Sequence, residues 1–199
     1  MLRIIHQPTE AKTELQRICA RTHDDQVVHK EATVREILHA VKRQGDKALF
    51  QYTADFDKVS LTPETLRISG AELDAAYQQV SKSFLDAIRL ACRNIERFHQ
   101  QRVPKSWVQF EQEGVVLGKR YTPVDRAGIY IPGGRAAYPS TVLMNAIPAR
   151  VAGVERIVMV TPPGSELGVT PAVLVAAQEA GISEIYRVGG AQAIGALAY

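Results

Sequence analysis

The chain has 199 residues, enough for one domain or two small ones around a buried core. Hydrophobic residues make up 46% and charged residues 23%, ordinary globular usage that excludes wholesale disorder. The 24 basic and 21 acidic residues leave a net charge of +3, too small and too dispersed for the phosphate-neutralising stripe of a nucleic-acid binder.

The first residues, Met1 to His6, carry too short an apolar run for a signal peptide, and Glu10 and Lys12 soon add charge. No later stretch is apolar for long enough to span a bilayer, so no membrane contact is expected and the cytoplasm is the expected location. The only two cysteines, Cys19 and Cys92, lie far apart in patterns that read as helical. They exclude a disulfide framework or a Cys-rich zinc site and are expected to be buried, reduced thiols. Residues 1–25 read as an N-terminal segment, 26–123 as a helical region plus hairpin, and 124–199 as a third unit.

Between residues 32 and 102 the periodicity is helical. Thr33-Val-Arg-Glu36 and Ser69-Gly-Ala-Glu72 both fit the capping box, in which hydroxyl and carboxylate satisfy orphan amides reciprocally. Phe84, Ile88, Ala91, Ile95 and Phe98 form one apolar stripe facing the core, with Lys82, Arg89, Arg93 and Glu96 mostly turned away. Gly45-Asp46 breaks the first helical run and Leu61-Thr-Pro63 the second. Arg93, Arg97 and Arg102 make an RNA-binding helix conceivable, but the solvated face of an amphipathic helix explains them better.

Residues 108–111 and 115–121 favour extension around Glu113-Gly114 and predict a hairpin. After Pro123 the composition turns to Ala, Gly, Val and Ile. Three short β-branched runs, at residues 128–131, 156–161 and 184–188, alternate with helical patterns and predict parallel strands in βαβ units. Each ends in a break: Pro132-Gly133-Gly134, Pro162-Pro163-Gly164 and Gly189-Gly190. All three breaks fall at carboxyl ends of strands, where ligands bind in open α/β sheets.

Gly133-Gly134 and Gly189-Gly190 would let backbone approach a ligand closely, and the helix after Gly190 would aim free amides at a phosphate or ribose. Plain tight turns are the competing explanation, because the G-x-G-x-x-G fingerprint is missing. Tyr130, near the end of the first strand, offers a ring for stacking, and Gln192, at a helix start, offers an amide. The ordinary alternatives are a core aromatic and a helix-start polar residue. His6, His23, His29, His39 and His99 lie in no recognised metal spacing, and the His23-Asp24-Asp25 cluster reads as a solvated loop.

The run Ala127-Gly-Ile-Tyr-Ile-Pro-Gly-Gly134, then Tyr138-Pro-Ser-Thr-Val-Leu-Met-Asn-Ala-Ile-Pro-Ala149 and Val188-Gly-Gly-Ala-Gln-Ala-Ile-Gly-Ala-Leu-Ala198, strongly resembles histidinol dehydrogenase. Gly45-Asp46-Lys-Ala-Leu49, Tyr52, Phe56-Asp57 and Asn94-Ile-Glu-Arg-Phe-His99 are similar to that family's N-terminal helical region. The resemblance weakens only over roughly the first twenty residues, where termini usually diverge.

The resemblance implies an α/β fold: a helical N-terminal region with a β-hairpin, then a partial, truncated Rossmann-like parallel sheet of aldehyde-dehydrogenase-like architecture. It implies a zinc-dependent enzyme of histidine biosynthesis that oxidises L-histidinol to L-histidine with two NAD, and a homodimer. Tyr130 and Gln192 fall on family positions that contact the dinucleotide, and Pro132, Gly133, Gly134, Pro162, Gly189 and Gly190 line the same rim. The family's zinc ligands and its Glu-His pair have no counterpart here, so no catalytic or metal-binding residue is expected in this chain.

The apolar run 191–199 ends without a glycine or asparagine cap, which together with the missing residues predicts the N-terminal portion of the enzyme, inactive alone. The alternative of another class is a truncated, non-catalytic nucleotide-binding or assembly module.

Overall fold

The computed structural model describes residues 4–20, 25–133 and 138–199. Helices α1 (Pro8–Ala20), α2 (Asp25–Gln44), α3 (Asp46–Asp57), α4 (Pro63–Leu66), α5 (Gly70–Gln78) and α6 (Lys82–Gln100) precede a hairpin of β1 (Trp107–Gln112) and β2 (Val115–Lys119). Then come β3 (Arg126–Tyr130), α7 (Pro139–Val151), β4 (Arg156–Thr161), α8 (Pro171–Glu179), β5 (Glu184–Arg187) and α9 (Gly190–Ala198). The hairpin turns at Gly114, whose φ of 82° suits a residue without Cβ. Its strands pair antiparallel, and all their residues are exposed.

The helix boundaries show where local chemistry decided. Gly45, at φ 57°, separates α2 from α3. Ser69 caps α5 as expected, its Oγ accepting from the Glu72 amide at 3.3 Å while the Glu72 carboxylate accepts from the Ser69 amide at 2.9 Å. The expected box at Thr33 is not formed. Thr33 lies inside α2, eight residues past its start, and its hydroxyl donates back to the His29 carbonyl at 3.0 Å. A reciprocal box forms instead at Thr62 and Thr65, with Pro63 opening α4 where the sequence suggested only a break. α3 itself stops at Asp57, with Lys58 left-handed at φ 59°.

The three later strands form one parallel sheet in the order β3-β4-β5, as expected from their apolar runs. Ile129, Met159 and Ile185 lie in register, as do Tyr130, Val160 and Tyr186. Period-two alternation sends the first row to one face and the second to the other. Ile129, Met159 and Ile185 pack with Val142, Leu143, Ala146 and Ile147 of α7 and Val173–Ala177 of α8 in the main core, which α5 and α6 extend. The opposite row joins Leu49, Val188, Ala193 and Leu197, which places α9 on the other face. Helices after β3 and β4 thus share one face and the helix after β5 changes sides. The outer edge of β5 is bridged by Arg67, opposite Tyr186, and the Ile68 amide donates to the Ile185 carbonyl at 2.9 Å.

Two burial expectations are corrected. Cys92 is buried in the main core, but Cys19 is exposed on α1. In the α6 stripe Ile88 is buried and Phe84, Ala91 and Ile95 are partly covered, whereas Phe98 is 52% exposed, near the helix end and beneath the Arg102 guanidinium. Among the described residues no helix is long and apolar enough to cross a membrane.

Candidate functional site

The three breaks converge. Pro162, following β4, lies between the other two turns: a Cβ on Gly133 would come within 3.2 Å of its ring, and one on Gly189 within 2.5 Å of its Cγ. At Gly189 a side chain could fit only if the proline moved, whereas at Gly133 the contact is tight but smaller in overlap. Pro132, Gly133, Thr161 and Pro162 line a cavity of about 130 Å³ together with Gly164, Gly168 and Thr170. Gly134 lies outside the described residues.

A second group meets at the start of α9. Gly190 has φ 65°, and its amide donates to the Tyr130 hydroxyl at 3.3 Å, tying the end of β3 to the turn after β5. The helix N-cap is Gly189, which offers no side chain to cap the first turn. Amides left over at such a terminus favour an anionic or oxygen-rich partner.

Gln192 completes this group. It has no exposed surface, yet neither Oε1 nor Nε2 has a hydrogen-bond partner among the described residues. Its carboxamide is folded against Gly190, where an added Cβ would stand 2.4 Å from Oε1. A buried amide without partners costs about 1–3 kcal/mol, and buried side-chain polar groups are nearly always paired. Tyr130 and Gln192 therefore meet the same residue, Gly190, on the rim that carries Gly133, Pro162 and Gly189.

Sequence reasoning overlooked Arg187, the last residue of β5. It is 4% exposed, and its guanidinium binds the Glu72 carboxylate at 2.7 and 2.8 Å. It also donates to the carbonyls of Leu167, at 2.9 Å, and Arg67, at 3.4 Å. Burial pushes the Glu72 carboxyl up, but the bonds from Ser69 and Arg187 outweigh it and hold the group below its ordinary value. An arginine inside an apolar strand run was the signal available, because charged residues are seldom fully buried unless paired. Thr161, 3% exposed at the cavity wall, had no such signal.

Among the described residues no three His, Cys, Asp or Glu side chains gather as metal ligands, so the zinc implied by the resemblance finds no donor set there. The buried carboxamide, the bare glycine backbone and the uncapped helix start are suited to holding an extended polar ligand.

The histidinol dehydrogenase family model matches residues 20–199. "Histidinol dehydrogenase 2" of Trichormus variabilis is 72% identical over 199 residues, covering all of this chain and 46% of that protein. A histidinol dehydrogenase of a Synechococcus strain is 71% identical over the same coverage. The crystal structure of histidinol dehydrogenase from Elizabethkingia anophelis superposes with a TM-score of 0.78 at 42% identity, covering 83% of this chain and 38% of that one. The chain spans about half the length of the curated relatives it matches. With its family model and near relatives in agreement over almost every residue, this chain belongs to the histidinol dehydrogenase family.

Proposed function

We infer that this chain supplies the N-terminal portion of a zinc-dependent histidinol dehydrogenase, and within it part of the NAD-binding lobe. The whole enzyme would oxidise L-histidinol to L-histidine in histidine biosynthesis. The observation that carries the NAD assignment is Gln192, a fully buried carboxamide whose donors and acceptors are unused among the described residues, at the carboxyl rim of a parallel sheet. Family membership supports the reaction.

NAD would take up hydride from the substrate carbon. The chain's own residues bind and orient. The Gln192 amide can donate to and accept from a ribose or carboxamide, and the partly buried Tyr130 is anchored nearby, its hydroxyl accepting from the Gly190 amide. Gly189 and Gly190 let the ligand approach the backbone, and the first turn of α9 turns its amides toward it. Pro162, wedged between Gly133 and Gly189, fixes the spacing of the turns. Zinc and the proton-transferring groups would come from outside this chain, and none of its residues is assigned to them.

Mixing the chain with the separately produced remainder of a relative such as the Trichormus protein tests this reading. Histidinol-dependent NADH formation by the mixture, lost with Gln192→Ala, is the expected result. Full activity from this chain alone, or a mixture indifferent to Gln192→Ala, would overturn it.

A further inference from the structure

Arg187 stands one residue before Val188-Gly189-Gly190, buried, and reaches in three directions. Glu72 in the first turn of α5, Arg67 in the α4–α5 linker and Leu167 in the β4–α8 loop all bind one guanidinium. Its Nε has no partner among the described residues, so the side chain is held from its far end. The loop it grips is unusual. Glu166 and Leu167 have φ of 56° and 65°, a left-handed pair without glycine, and the Gly164 amide donates to the Gly168 carbonyl at 2.7 Å across them. Such backbone persists only where surrounding contacts over-determine it, and here the Arg187 bond to Leu167 is one of those contacts. Gly164 and Gly168 line the same cavity as Pro132, Gly133 and Pro162.

We propose that Arg187 is a positioning residue for the cofactor rim: by clamping Leu167 it holds loop 164–168 in a strained conformation as one wall of the cavity beside Gly133 and Pro162. This rests on the NAD-binding reading for its purpose, not for its mechanics. Lysine cannot replace it. One ammonium can meet the Glu72 carboxylate but lacks the planar fork needed to hold the Leu167 and Arg67 carbonyls as well.

Amide hydrogen exchange of residues 164–168, melting temperature and NAD affinity by calorimetry, measured on the full chain, test the clamp. Arg187→Gln is expected to speed exchange in the loop at least tenfold and to weaken NAD binding at least tenfold. Arg89→Gln, which breaks the Arg89–Glu179 pair away from the rim, should change neither. Arg187→Lys is expected to recover most of the melting temperature while loop exchange and affinity stay impaired, a split that a merely structural ion pair would not produce. Should Arg187→Gln fail to fold, Arg187→Lys carries the same comparison. Wild-type loop exchange in either folded variant, or recovery of all three properties by lysine, overturns the proposal. Exchange needs no nucleotide, so a wild-type chain that binds no NAD would sink the cofactor reading while the loop comparison still decides the clamp.

Discussion

Gly189 lies so close to Pro162 that a methyl group on its Cα would sit 2.5 Å from the proline Cγ. The extended backbone at Gly189, φ −123°, suits any residue, so sterics alone demand glycine there. Gly189→Ala should therefore destabilise by about 1–3 kcal/mol through overpacking, read as a lowered denaturant midpoint. Gly190→Ala acts differently. It places a side chain at φ 65°, costing about 1–2 kcal/mol, and pushes into the Gln192 carboxamide. Equal, negligible effects of the two substitutions would contradict the packing described.

The serine and threonine expected to start helices make a paired prediction. Ser69→Ala removes an observed cap and should cost about 1 kcal/mol of stability. Thr33→Ala removes an exposed hydroxyl from the middle of α2 and should stay within about 0.5 kcal/mol of wild type. Denaturant titration of both variants separates a capping residue from a look-alike.

Glu184 accepts hydrogen bonds from the Arg156 guanidinium and the Tyr186 hydroxyl, both at 2.8 Å. The bond from Arg156, against the opposing effect of burial, pulls its carboxyl down to about 2 from 4.5. A carboxylate lowered on folding stabilises the native state above its unfolded value and loses that contribution as protons are added. The melting temperature should fall as pH drops from about 4.5 toward 2, and Glu184→Gln should flatten that part of the profile. An unchanged profile in the variant would show that the pair is not responsible.

How much of this was legible beforehand depends on how local the cause is. Ser69 with Glu72, and Gly114 in the hairpin turn, announce themselves because their partners lie within a few residues. The parallel strands were legible because burial on both faces requires unbroken apolar runs such as Arg156–Thr161. Thr33 misled because α2 begins upstream at Asp25, so a sequence that fits a box met a helix already formed. Cys19 is a small apolar residue whose exposure no pattern signals. Arg187 was missed because its three partners, at Arg67, Glu72 and Leu167, meet only after β5 has docked in the sheet. For the rim, the turns themselves were readable, but the wedge of Pro162 between Gly133 and Gly189 is a tertiary fact.

Gln192→Leu tests the central claim most directly. In a merely structural site a carboxamide unpaired among the described residues is a burden, and an apolar side chain of similar size should relieve about 1 kcal/mol or more. If the amide is kept for a dinucleotide, Gln192→Leu should raise the melting temperature of the ligand-free chain and abolish the heat of NAD binding seen with wild type. NAD binding equal to wild type in the stabilised variant would contradict the account.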